Sequence, residues 1–351
     1  MRLFRCPTCD GIALLETLEC GSCSQPIGLH PPSLSMRPAE PTGSPYDGQT
    51  WVPCSNRSWG CNWLLATDDD ASRCISCRMT RRMPDASDTI SLEKLAEVAM
   101  DKRRLLVQLL ELGLPVTPWF EKDGGLGFDL LSSRSNNEKV IIGHANGIVT
   151  IDLAETLDDH REALRVRLGE PYRTMLGHFR HEVGHYYQWV LVESTDDPTL
   201  LNECREIFGD ETTSYSDAID RHYKVGPPPD WAENFISEYA TMHPWEDFAE
   251  CFAHYLHITG TLGTAASAGL VLQAARVPGV VERDVEPRND YADASIGEIL
   301  DDWHWLSLLF NRVNRAMGQD DLYPFDLVEP VMLKLAFVHK VVTVATGRRT
   351  L

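Results

Sequence analysis

Long apolar runs are missing from this 351-residue chain. No stretch reaches the roughly 18 consecutive apolar residues that a membrane-spanning helix needs. The opening, MRLFRCPTCD, carries two arginines but no apolar leader core, so no secretory signal is expected. Basic charge is also scarce: 32 Lys and Arg stand against 52 Asp and Glu, a formal net charge of -20. A phosphate backbone repels such a chain, which disfavours nucleic acid as a partner of the whole molecule. Cysteine nearly vanishes after residue 77, where only Cys204 and Cys251 remain. Those isolated thiols read as small, half-buried apolar residues. The expected setting is the reducing cytoplasm, with no membrane attachment. A composition 43% hydrophobic and 24% charged suits a globular protein, and the length suits about two domains.

What the chain does have, it concentrates. Eight of its ten cysteines lie in the first 77 residues. CPTC (Cys6, Cys9) and CGSC (Cys20, Cys23) are two C-x2-C knuckles ten residues apart. In each knuckle, backbone amides can face the thiolates, and two knuckles make a tetrahedral four-thiolate zinc site. A proline-rich stretch, GLHPPSLSMRPAEPTGSP, reads as a connector. Cys54, Cys61, Cys74 and Cys77 then supply a second set, looser because six residues separate its first two members. Residues 1–82 hold too few apolar residues for a core, and metal binding would supply their folding energy. They are read as a zinc-ribbon region, and residues 83–351 as a second domain.

From about residue 83 the pattern becomes helical. SLEKLAEVAMDKRRLLVQLLELGLP (91–115) has apolar residues at helical spacing, with Ser91 as N-cap and Gly113 as C-cap. KVIIGHANGIVTIDLAE reads as strand, turn, strand, with Asn146-Gly147 near the turn. The segment LDDHREALRVRLG reads as a helix. Another helix opens at Pro171 and runs to about Val192. Residues 260–295 are weakly patterned, and the last 55 residues form two more helices. The whole is an α+β chain.

The central helix contains HFRHEVGHYY, an H-E-x-x-H motif. His181 and His185, four apart, point the same way from adjacent turns and suit two nitrogens on one zinc. Glu182 can reach water beside that ion and accept its proton as hydroxide attacks a carbonyl. Gly184 lets another element come close. The bland alternative is a half-buried histidine pair. A catalytic zinc needs a third protein ligand and an open position. Downstream, SEYATMHPWEDFAECFAHYLH starts a helix at Pro244, with Glu246, Glu250, His254 and His257 on one face at spacings of 4, 4 and 3. A solvated polar face is the alternative there.

GHFRHEVGHYY, PWEDFAECFAHYLH and MRLFRCPTC, with GHANGIVTIDLAE and GEPYRTMLGHFRHE, resemble a sequence-defined bacterial family of zinc-binding metallopeptidases. That family joins N-terminal zinc-ribbon cysteines to an H-E-x-x-H domain, and the resemblance covers nearly the whole chain. It implies a zincin-like domain: a small sheet, an active-site helix and a helical C-terminal part. A narrower resemblance links Tyr239 to Phe252 with the region after the motif in the anthrax lethal factor protease. It implies Glu246 as zinc ligand, Glu250 as support for a ligand histidine, and Tyr239 as the donor facing the scissile carbonyl. Glu250 and His254 stand as alternative third ligands. The strand 148–152 is read either as the sheet edge that pairs with an extended substrate or as an internal strand. His144 and His178 read as structural or supporting residues, and Tyr186 and Tyr187 as packing.

These readings converge on a zinc peptidase acting on peptide or protein. It would carry one catalytic Zn2+ and up to two structural ones, with the ribbons contacting a partner or the substrate. The alternatives are a zinc-ribbon scaffold with a silent zincin domain and a hydrolase of non-peptide amides. Arg78, Arg81 and Arg82 form a small basic cluster, read as a solvated face rather than a nucleic-acid contact.

Overall fold

Tight turns around cysteines organise the start of the chain in the computed structural model, which describes residues 3–68, 71–134, 140–156, 174–277 and 281–347. Strands β1 (Phe4–Arg5) and β2 (Ile12–Ala13) pair antiparallel, and the turn between them holds Cys6 and Cys9. The Thr8 amide donates to Cys6 Sγ and the Ser22 amide to Cys20 Sγ, both at 3.4 Å, as the knuckle geometry predicts.

The proline-rich stretch is not a connector. It folds as β3 (Ile27–His30) and β4 (Ser35–Pro38), an antiparallel hairpin, and runs into β5 (Ser44–Tyr46). Its prolines mislead because they sit in the turn (Pro31, Pro32) or at strand positions that tolerate a missing donor (Pro38, Pro45). With β6 (Gln49–Pro53) and β7 (Leu64–Ala66), β5 forms a three-stranded sheet over a small core of Ala39, Trp51 and Leu64.

The second cysteine set closes where the short helix α1 (Ile75–Arg78) begins at Cys74. Three residues after Cys77, strand β8 (Thr80–Arg82) opens a four-stranded sheet with β9 (Gly127–Leu131), β10 (Gly143–Ala145) and β11 (Ile148–Asp152). The order is β10-β11-β9-β8, parallel except for the β10-β11 hairpin, whose turn uses Asn146 (φ 49°) and Gly147 (φ 84°). The strand 148–152 is therefore internal, and the substrate-edge reading is overturned: its parallel partner β9 lies upstream, where no hairpin signal announces it. His144 Nε2 accepts from the Gly147 amide at 3.1 Å, a turn contact.

Helix α2 (Thr89–Leu112) starts three residues earlier than expected. Its cap is Asp88, whose carboxylate accepts from the Ser91 amide, so Ser91 is in the first turn rather than at the N-cap. Gly113 closes the helix at φ 76°, as expected. Arg81 donates through Nε and Nη2 to the two carboxylate oxygens of buried Asp129, and Arg82 approaches the same carboxylate at 3.8 Å.

The chain divides into two compact units, Met1–His160 and Arg161–Leu351. The expected helix at 157–169 and the Pro171 start lie outside the described residues. In the second unit, α3 (Met175–Gln188) is capped by Thr174, whose hydroxyl accepts from the Gly177 amide at 3.0 Å. A π-helical turn, Trp189–Glu193, continues it. Helices α4 (Thr199–Phe208), α5 (Tyr215–Val225), α6 (Pro244–Ser267), α7 (Ile296–Ala316) and α8 (Glu329–Ala345) follow. The weakly patterned zone expected from residue 260 begins later, because α6 continues to Ser267. Phe208, Phe248 and Phe337 pack together from α4, α6 and α8, and Cys204 and Cys251 are fully buried near them. Among the described residues, no helix is long and apolar enough to cross a membrane.

Candidate metal centres

Helices α3 and α6 touch where both are small. A Cβ on Gly184 would lie 2.8 Å from Ala249 Cα, so the absence of a side chain permits the approach. Tyr187 stacks on Phe252 just beyond, with centroids 5.4 Å apart. This contact brings the polar face of α6 to the histidines of α3.

His181, His185 and Glu246 meet there, each offering one donor atom, with all three atoms within 4.8 Å of one another. Glu246 Oε2 is 2.9 Å from His181 Nε2 and 3.4 Å from His185 Nε2. Glu246 is almost fully buried. Burial would raise its pKa, but the charge of His185 and the hydrogen bond with His181 hold it well below the usual carboxylate range. Burial would likewise lower the His181 pKa, and its contacts with Glu246 and Glu250 instead hold it well above the usual value. The three groups are a set of Lewis-basic donors converging on one point. The donor types and their convergence fit zinc.

Glu250, one turn on, faces the other ring nitrogen. Its Oε1 is 2.7 Å from His181 Nδ1, and its Oε2 accepts from Ser237 Oγ at 2.7 Å. Ser237 also accepts from the Ala240 amide, which ties this chain to the turn that holds Tyr239. Burial would raise the Glu250 pKa, but the hydrogen bond and charge of His181, with His254 and Ser237, together lower it to about 2. Neither Glu250 nor His254 joins the converging donors: His254 Nδ1 pairs with the Tyr323 hydroxyl at 2.7 Å.

Glu182 is buried beside His181. It follows His181 directly on α3, the helix that carries both histidines. The ring of Tyr239 lies 5.8 Å from that of His181. Two contributors escape a reading of the motifs. Ser237 lies two residues before Tyr239 and carries no pattern of its own. Tyr215 opens α5 and donates its hydroxyl to Glu246 Oε1 at 2.6 Å. His178 is half-buried, and Tyr186 and Tyr187 are buried packing residues.

The cysteines fall into two further groups of converging donors, Cys6, Cys9, Cys20 and Cys23, and Cys54, Cys61, Cys74 and Cys77. Sulfur separations of 3.6 to 3.7 Å across the sets match neighbouring corners of a four-thiolate tetrahedron. The first set has exposed members, Cys9 and Cys23; the second is buried throughout. Beside it the ammonium of buried Lys102 donates to the Ser76 carbonyl at 2.6 Å and to the Thr80 hydroxyl. Positive charge there would offset the excess negative charge of four thiolates around one zinc ion.

The fold and these three centres define a class: an α+β chain with zinc-ribbon cysteines ahead of a zinc-binding peptidase domain. The chain belongs to the family described as "Putative zinc-binding metallo-peptidase", whose model matches residues 91–341, and a zinc-ribbon domain model matches residues 3–88. Relatives from Mycobacterium bovis and from two strains of Mycobacterium tuberculosis are each 44% identical over 344 residues. The alignments cover 97% of this chain and 95% of each relative, and each relative is described as an uncharacterized protein. No solved structure matches.

Proposed function

We propose that the protein is a zinc-dependent peptidase with a zincin-like catalytic site. The convergence of His181, His185 and Glu246, with buried Glu182 next to His181 in the chain, is the observation that carries this reading. A zinc ion held by those three side chains supplies Lewis acidity toward water and a peptide carbonyl. The Glu182 carboxylate takes the proton of the attacking water and returns it to the leaving amine. Tyr239, kept protonated because burial pushes its pKa well above the usual value, donates its hydroxyl to the developing oxyanion. Glu250 fixes the tautomer of His181 and is itself held by Ser237.

The two cysteine groups hold one structural zinc each. The first ribbon exposes Leu3, Ile12 and Leu14, apolar surface suited to a protein partner or the substrate. The reducing cytoplasm is the compartment that keeps such thiols available to metal.

Zinc content measured beside proteome-derived peptide cleavage tests the reading. Wild type is expected to hold three zinc per chain and to cleave, Glu182→Gln to hold three without cleaving, and His185→Ala to hold two. Cleavage by Glu182→Gln at the wild-type rate would refute the assignment.

A further inference from the structure

The sequence motifs account for Glu246 but not for what orients it. A carboxylate can meet a cation through one oxygen or both, and two-oxygen binding would occupy part of the open position that hydrolysis requires. In this site the two oxygens have different surroundings. Oε2 faces both imidazoles, whereas Oε1 accepts the Tyr215 hydroxyl at 2.6 Å. Glu246 is 2% exposed, so bulk water offers Oε1 little competition for that hydrogen bond.

Tyr215 is held where it can do this. Its ring lies edge-on to His243, with centroids 5.2 Å apart, and 5.8 Å from Trp245. His243 caps α6, its Nδ1 accepting from the Trp245 amide at 3.1 Å, and its Nε2 is 3.1 Å from the Thr213 carbonyl. The start of α5 is thus braced against the start of α6, three residues from the carboxylate. No residue of α5, Tyr215 included, is fully buried, so core packing of the helix does not explain this placement.

We propose that Tyr215 is a positioning residue: it pins Glu246 Oε1 so that Oε2 is the oxygen presented beside His181 and His185, where a zinc ion would be held. The proposal rests on the reading of His181, His185 and Glu246 as ligands. An outer hydrogen bond of this kind typically sets metal affinity by about 10- to 100-fold.

The test is zinc competition against a chromogenic chelator on the full chain, with Tyr215→Phe made in the wild type and in Glu246→Gln. Phenylalanine keeps the ring contacts and removes only the hydroxyl. In the wild type, Tyr215→Phe is expected to weaken the third ion about 10- to 100-fold and leave the two thiolate-held ions unchanged. On the Glu246→Gln background the same change should cost less than about threefold, because the paired oxygen is no longer a carboxylate's. Unchanged affinity in Tyr215→Phe, or equal loss on both backgrounds, overturns the positioning role while the ligand reading stands. If His185→Ala holds as much zinc as wild type, the ligand reading and the positioning role fall together.

Discussion

Gly184 of α3 and Ala249 of α6 meet backbone to backbone: a Cβ at 184 would lie 2.8 Å from Ala249 Cα and 3.1 Å from its carbonyl oxygen. That contact sets the spacing between the helix carrying the two histidines and the helix carrying Glu246. Gly184→Ala should destabilise the fold by about 1–3 kcal/mol through overpacking. It should also weaken binding of the third zinc ion, because the helices must part. Urea unfolding and chelator competition measure the two effects, and unchanged values in both would remove the contact from the account.

Glu246 and Glu250 are one turn apart and differ in what they face. Glu246→Ala is expected to eliminate the third ion. Glu250→Ala should retain it with affinity lowered about 10- to 100-fold, since the carboxylate orients His181 rather than joining the donors. Isothermal titration of each variant with zinc distinguishes them, and the reverse ranking would exchange their roles.

The ten cysteines should react in order. Alkylation of the zinc-loaded protein should leave all of them largely unmodified. After chelation, exposed Cys9 and Cys23 should label first and the buried set Cys54, Cys61, Cys74 and Cys77 later. Cys204 and Cys251, buried in the helical unit and outside any metal-binding set, should label last, on unfolding. Peptide mass mapping over a time course reads the order directly.

Asp247 and Lys334 form a buried ion pair at 2.6 Å between α6 and α8. Replacing Lys334 by Met leaves a buried carboxylate without its cation, a change expected to cost about 3–5 kcal/mol. Lys334→Met with Asp247→Leu should recover most of that loss, because two apolar side chains need no counter-charge. Denaturant midpoints of the single and double variants check it.

His254 gives a pH dependence with a defined sign. Burial lowers its pKa to about 4, so the native state holds the ring neutral where the unfolded chain would protonate it. Its contribution is complete above the ordinary value near 6.5 and is lost as pH falls through about 4. His254→Gln should flatten the acid limb of the stability curve relative to wild type; parallel limbs would discount the effect.

The features that a sequence shows best are those whose geometry is local. C-x2-C fixes two sulfurs on one turn, and H-E-x-x-H fixes two imidazoles on one helix face, so both were legible from spacing. Pro244 announced its helix because a first-turn proline sacrifices no hydrogen bond. Tyr215 was not legible: it reaches Glu246 from 31 residues away, on a helix with no motif. The hairpin of β3 and β4 was hidden by prolines that occupy its turn and one of its ends. The internal place of 148–152 was hidden because parallel pairing with β9 leaves no hairpin turn to read. Asp88 displaced Ser91 as cap because both are good capping residues and only the backbone selects between them.

Strand β8 follows Cys77 after two residues and lies against β9. The second ribbon is consequently no detachable cassette. A chain begun at residue 83 would lack a strand of the four-stranded sheet as well as both cysteine sets, and would present the bare flank of β9 to pairing with other molecules. Any graft of these ribbons onto another scaffold would have to bring that sheet along.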